Sequence, residues 1–392
     1  MSGSLSGIFT RNFILLSGYG MLALALSLML VTNLPLYLEG AGWDPKQIGG
    51  ILGSYFLTSL IVRPFVGREA DRRGRKAIMI VGALLMLLPL PLYLVAGSSS
   101  MVLAARILQG IGWAMATTAT AAMASEIVPQ DRVGTGLGIF GIINSVGFTF
   151  GPALGAYLLN TGGGPLLLTG AAGLALGVLT CGALVSPPAQ KAPAAIQWKD
   201  AARFIRPLIR PLAATLAVCF GYGACQTFLP LYAKESGVSN PGLFFTVFSI
   251  LSFASRPTMG RLSDGWGRVR TASMLILVIA ATFSLLAYSA ALPFLIAAAV
   301  LYGIGHGAIF TVLMALLADM TEPKDRGLTY GLFGSSIDMG ITAGTFVLGL
   351  TTGAIGYSGG FGLSAVIVLL AIPLLWGLAA KAPAQQPEAQ QS

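Results

Sequence analysis

Charge is what this sequence lacks. Of its 392 residues, 9% are Asp, Glu, Lys or Arg, and only 14 are acidic. A soluble domain carries about 25% charged residues. So few charges cannot cover a folded chain in water, which excludes a soluble globular enzyme, a disordered regulator and a fibrous repeat. Histidine occurs once, as His306. Cysteine occurs three times, as Cys181, Cys219 and Cys225, all within apolar stretches. That leaves no CxxC pair, no disulfide framework and no Cys/His cluster for a metal. A G-x-x-x-x-G-K-[ST] phosphate loop and an HExxH pair are missing too, and no nucleophile elbow, which needs a strand-to-helix turn, is expected in so apolar a chain. ATP-driven transport and hydrolytic chemistry therefore lack their residues. No cofactor, no metal and no enzymatic reaction is expected.

What is present is apolar: 55% of the chain is hydrophobic, and there are 51 glycines. A bilayer core needs about 20 apolar residues per helix. Twelve stretches meet that need, near 13–38, 47–66, 77–96, 101–124, 134–159, 165–185, 210–233, 241–259, 271–290, 293–316, 327–351 and 361–380. Long apolar runs without period-two alternation predict helices rather than barrel strands. The first run is too long for a signal-peptide core and no A-x-A site follows it, so it is read as a span.

The formal charge of +9 would suggest nucleic acid in a soluble protein. Here 20 of the 23 Lys and Arg residues fall in loops on one side; the other side has Lys46 and Lys234, and Arg106 lies within the fourth span. By the positive-inside bias, both termini are cytoplasmic and the charge is topology, not nucleic-acid binding. The expectation is a multi-pass, monomeric protein of a cell inner membrane, its lipid bilayer the main partner. A hydrophilic segment, 186–209, separates two six-span halves, 1–185 and 210–380, and an Ala/Pro/Gln-rich tail at 381–392 reads as disordered. Within the segment, Trp198, Ala202 and Ile205 oppose Lys199, Arg203 and Arg206. It is either a short interfacial helix or a solvated linker.

The halves repeat each other at an offset of 193–195 residues. Leu34-Pro35-Leu36-Tyr37 recurs as Leu229-Pro230-Leu231-Tyr232, Gly110-Ile111-Gly112 as Gly303-Ile304-Gly305, and Asp131-Arg132 as Asp325-Arg326. Arg63-Pro64, Gly67, Asp71 and Gly74-Arg75 recur as Arg256-Pro257, Gly260, Asp264 and Gly267-Arg268. Six spans per copy is an even number, so the copies are parallel and related by a pseudo-two-fold axis along the membrane normal. Two equivalent bundles facing each other suit alternating access to a site between them.

Three motifs stand out. Gly67-Arg68-Glu69-Ala70-Asp71-Arg72-Arg73-Gly74-Arg75-Lys76 joins spans two and three. A plain basic loop explains its arginines, but not its spaced glycines and aspartate. Arg106-x-x-Gln109-Gly110-x-Gly112 lies in span four. An arginine there costs about 2.5–3.5 kcal/mol on insertion scales, so it either finds a partner inside or snorkels to the surface, about 8 Å away. Gly138-x8-Gly147-x3-Gly151-Pro152-x2-Gly155-Ala156 in span five makes a smooth face for close packing, and the proline bends it.

With these motifs the sequence resembles the major facilitator superfamily over essentially its whole length. The first motif fits that family's loop signature G-x3-D-[RK]-x-G-R-[RK] at every fixed position. The second copy is degraded, with Gly265 and Val269 in place of basic residues around Asp264 and Arg268. The resemblance implies an all-α membrane protein of twelve transmembrane helices in two pseudo-symmetric six-helix bundles. It implies that Asp71 and Arg75 belong to a charge network holding the inner side shut, and that Arg106 is linked to proton coupling. The span-five glycines resemble the motif of the drug and metabolite antiporters, with Ala156 replacing its last glycine. Spans one, four, seven and ten then line a central cavity shared by Asn33, Arg106, Gln109, Gln226 and His306.

Asp338 is the only acidic residue well inside a span. A desolvated carboxylate can take and release protons near neutrality, which makes it the leading proton carrier. The competing reading is a structural carboxylate paired with a neighbouring helix. His306 is either a second titrating group or a hydrogen-bonding residue between helices. Span one has no acid, where many drug/proton antiporters of the family have one. An arginine and few acids around the cavity favour an anionic or neutral polar substrate. The reading is a proton-coupled exporter of a small organic molecule or drug. The alternatives are a proton-coupled importer of a sugar or organic acid and, more remotely, a non-transporting receptor or scaffold.

Overall fold

The structure is a computed structural model that describes residues 7–94, 98–128, 133–186, 198–238, 241–322 and 326–379. The side chains of Asp71, Arg256 and Arg261, and the surroundings of Gly138 and Gly260, lie outside what is described. So do Asp131, Arg132, Asp325, residues 187–197 and the tail after Ala379.

The helices run α1 (Arg11–Gly40), α2 (Pro45–Arg73), α3 (Arg75–Leu87), α4 (Ser99–Ile127), α5 (Val133–Leu184), α6 (Trp198–Glu235), α7 (Gly242–Trp266), α8 (Arg268–Tyr288), α9 (Leu292–Asp319), α10 (Arg326–Leu369) and α11 (Ala371–Ala379). Local chemistry sets several ends. The Thr10 hydroxyl accepts from the Phe13 amide to start α1. Asp44 and Gln47 form a reciprocal cap at the start of α2, with Pro45 at the first helical position. Two long helices each hold two passes. α5 breaks at Gly162–Gly163, where Gly163 has φ +64°, and α10 breaks at Gly356, φ +69°. L side chains rarely adopt such φ values, so glycine is what lets the chain double back there.

Among the described residues, eight helical stretches are long and apolar enough to cross a bilayer; the one in α5, Ile139–Leu184, and the one running from α10 into α11, Thr329–Trp376, span 46 and 48 residues, long enough for two passes each. The other two passes are α4, diluted by the polar Arg106 and Gln109, and α7, whose apolar part is Gly242–Ser255. Large apolar side chains such as Phe65, Ile250, Leu350 and Trp376 remain exposed around the outside, a surface suited to lipid.

Two expectations shift. The third span ends its α-helix at Leu87 and continues as a 3₁₀ turn, Leu90–Tyr93. Pro89 and Pro91 lack the amide donors that an α-helix needs. The helix of the seventh span begins at Trp198 and its apolar stretch at Phe204, so residues 198–209 are a continuation of α6 rather than a separate helix or a plain linker. Leu208 is buried and Phe204 packs against the core, which anchors this extension.

Two buried clusters form the core, one mainly from each half. The pairings repeat: α1 packs on α5 as α6 packs on α10, and α2 packs on α4 as α7 packs on α9. The halves meet through α2–α10, α5–α7 and α1–α6. At the end away from the arginine-rich turns, a Cβ built on Gly49 of α2 would lie 2.7 Å from the Gly349 Cα of α10. At that same end Lys234 pairs with Glu39 at 2.6 Å.

Candidate functional site

Arg106, on α4, has no exposed surface. Its guanidinium sits over the Tyr55 ring of α2, 4.5 Å from the centroid. Its Nη1 donates to the Gln109 Oε1 at 3.2 Å, and the Tyr93 hydroxyl donates to the same oxygen at 2.6 Å. The Gln109 Nε2 donates to the Met86 carbonyl at 3.2 Å, which fixes the amide. The Tyr55 and Ser27 hydroxyls share a hydrogen bond of 2.7 Å, tying this group to α1. Arg106 thus turns inward instead of snorkelling. A desolvated cation–π contact of this kind is worth about 2 kcal/mol. Tyr55, Tyr93 and Ser27 were not legible as site residues in the sequence.

Asp338, on α10, is 4% exposed. The Arg63 Nε and Nη2 of α2 both lie 2.7 Å from its Oδ2. Ser59, one turn before Arg63, donates to the same oxygen at 3.2 Å. The carboxylate therefore bridges the two halves inside the protein. Arg63 was counted only among the loop charges and the repeat matches, so its role here was missed. Tyr55 lies within electrostatic reach of both Arg106 and Asp338.

His306, on α9, is enclosed by aromatic rings. Tyr222 of α6 stacks on it at 4.6 Å, Tyr302 and Phe310 flank it at 4.8 Å each, and Phe248 of α7 lies at 5.5 Å. Phe148 reaches in from α5 at 6.3 Å. Gln226 donates to the Tyr222 hydroxyl and accepts from the Thr32 hydroxyl of α1 at 3.5 Å. Asn33 donates to the Met29 carbonyl at 2.9 Å and to the Pro152 carbonyl at 3.2 Å, joining α1 to α5. The structure thus groups Arg106 with Gln109, and His306 with Gln226 through Tyr222. Asn33 stands apart, lining a small pocket with Thr32, Pro230 and Phe245.

The arginine-rich turns occur twice with one geometry. Gly74 has φ +91° and ψ 137°, and Gly267 has φ +92° and ψ 142°. Arg75 pairs with Glu126 at the end of α4 at 2.6 Å. Arg268 pairs with Asp319 at the end of α9 at 3.1 Å, and with Asp264. Glu126 and Asp319 are 193 residues apart, the repeat offset that could have found them. Each pair joins helices of one half. Lys76 donates to the Ala183 carbonyl at 2.7 Å, Arg72 is exposed, and the Gly67 Cα faces open space.

The span-five glycines form a seam. A Cβ at Gly147 or Gly151 would strike the Met21 or Ala25 carbonyl of α1, and one at Gly155 would strike the Asn33 amide. Gly340 and Gly344 of α10 meet the Leu216 and Phe220 carbonyls of α6 in the same way. A family model for the Major Facilitator Superfamily matches residues 12–245 and again 214–392, together nearly the whole chain. The chain belongs to the Major Facilitator Superfamily. It is a multi-pass membrane transporter of that superfamily with the two-bundle fold. The staphylopine export protein of Staphylococcus aureus is 22% identical over 385 residues, covering 94% of this chain and 96% of that one. The quinolone resistance protein NorA of Staphylococcus aureus is 23% identical over 240 residues, 57% of this chain and 62% of NorA. Among solved structures, a D-xylose-proton symporter superposes with a TM-score of 0.74 at 14% identity, covering 93% of this chain and 97% of that one. That likeness shows the fold alone.

Proposed function

We propose that this superfamily member is a proton-driven exporter of a small organic molecule. The halves 1–185 and 210–380 rock about the buried groups between them. Both termini and the arginine-rich turns face the cytoplasm, and the membrane is the cell's inner membrane. The observation that carries the coupling is the buried Arg63–Asp338 pair across α2 and α10. While Asp338 is charged, the pair holds these helices together on the cytoplasmic side of the midplane. A proton reaching Asp338 from outside removes the negative charge and releases Arg63. The cytoplasmic ends then part, the proton leaves inward and substrate enters. Recharged Asp338 recaptures Arg63, which biases the substrate-loaded protein toward the state closed inside and open outside.

Export rather than import is supported by the Gly147–Gly151–Pro152 seam, which resembles the antiporter motif, and by two relatives named for export and for quinolone resistance. The test is flux of norfloxacin and 2-naphthoate in vesicles of defined orientation with an imposed pH gradient. Export predicts that an inward proton gradient drives at least one probe outward. Proton-driven uptake in right-side-out vesicles would overturn the direction, and no gradient-dependent movement of either probe would count against transport.

A further inference from the structure

The repeat sets four residues of one half against four of the other, and they have diverged. At the offset of 193, Tyr55 matches Phe248, Arg106 matches Ala299, Gln109 matches Tyr302, and Trp113 matches His306. In the second half the set is aromatic: Phe248 and Tyr302 lie 5.1 Å apart, and both rings contact His306. In the first half it is cationic: Arg106 lies over Tyr55, with the Trp113 ring 6.4 Å from Tyr55. Tyr55 belongs to the same buried cluster as Tyr222, Phe248 and Tyr302, and Trp113 packs against that cluster.

Arg106 is the unbalanced member. It has no exposed surface, and its hydrogen-bond acceptor is a neutral amide oxygen. Its Nε and Nη2 have no acceptor among the described residues. A buried guanidinium with only neutral partners is unfavourable, and the Tyr55 face offsets part of that cost. The unused N–H groups form a fork whose geometry matches a carboxylate. Asp338 does not serve, being held by Arg63 and Ser59. A cationic solute would meet repulsion here.

We propose that the transported molecule is an aromatic organic anion, its carboxylate held by Arg106 and its ring received by the box of Tyr222, Phe248, Tyr302 and His306. This rests on the transport reading and names the substrate class. The anion neutralises the guanidinium while the ring slots among rings that already stack on one another. The divergence between the halves then gives the site its polarity, charge on one side and aromatic surface on the other.

The test uses the purified full chain in detergent and calorimetric titration with 2-naphthoate, its uncharged amide 2-naphthamide, and 2-naphthylmethylammonium. The acid is expected to bind at least about tenfold more tightly than the amide, the scale of hydrogen bonds to a charged group. The ammonium is expected to bind more weakly than the amide. Arg106→Gln should erase the preference for the acid, Arg106→Lys should keep part of it, and Phe248→Ala should weaken acid and amide alike. Equal affinity for acid and amide, tighter binding of the ammonium, no binding of the acid at millimolar concentration, or a preference that survives Arg106→Gln would each overturn the proposal. The acid–amide comparison in the unmodified protein decides the matter even if Arg106→Gln fails to fold. Failure of the transport reading looks different, since binding would persist while no probe crosses the vesicle membrane under any gradient.

Discussion

Arg63 and Asp338 are 275 positions apart in the chain and meet inside the protein. Removing one partner of a buried pair leaves a charge without compensation and costs about 3–5 kcal/mol; replacing both with apolar groups is often neutral. Arg63→Met should therefore lower thermal stability, whereas Arg63→Met with Asp338→Leu should recover most of it and still fail to couple transport to protons. Thermal unfolding beside vesicle flux checks this. A double variant with full driven flux would remove the pair from the mechanism. Asp338 was legible because an acid stands out in an apolar span. Arg63 was not, because an arginine near a helix end reads as topology until α2 and α10 come together. Arg106 was legible for the same reason as Asp338. Its partners Tyr55 and Tyr93 were not, because aromatic residues are common in membrane helices and only the fold stacks one on the guanidinium.

The elements show why some motif glycines matter more than others. Gly74 turns the chain at φ +91°, whereas Gly67 lies within α2 beside open space. Gly74→Ala should destabilise by about 1–3 kcal/mol, and Gly67→Ala should leave stability unchanged or slightly raised. Denaturation of the two variants distinguishes them; equal losses would mean that backbone conformation is not what selects Gly74. Gly151 faces the Ala25 carbonyl, so Gly151→Val must push α1 away from α5. It should reduce flux more than tenfold, about the effect of 1.4 kcal/mol or more of overpacking at a moving seam. Normal flux in a well-folded Gly151→Val protein would contradict a tight seam. The spans themselves were legible from apolar length. Their ends were less so, because Pro89 and Pro91 convert the end of span three to a 3₁₀ turn and α6 extends back to Trp198.

At the scale of the whole molecule, the two halves touch at two depths. Glu39 and Lys234 pair at one end, and Arg63 and Asp338 pair deeper in. Glu39 and Lys234 are 195 positions apart, so the repeat relates them to each other and they sit beside the pseudo-two-fold axis. If that end must open, joining Glu39→Cys to Lys234→Cys with a bis-maleimide, in a Cys181→Ala background, should abolish flux. Full flux through the joined protein would show that this end does not open. The most direct measurement is of Asp338→Asn in reconstituted vesicles, comparing flux driven by an imposed proton gradient with substrate exchange at equal pH. Loss of the driven flux with exchange retained is the predicted result. Driven flux equal to that of the unmodified protein would contradict the coupling assigned to Asp338.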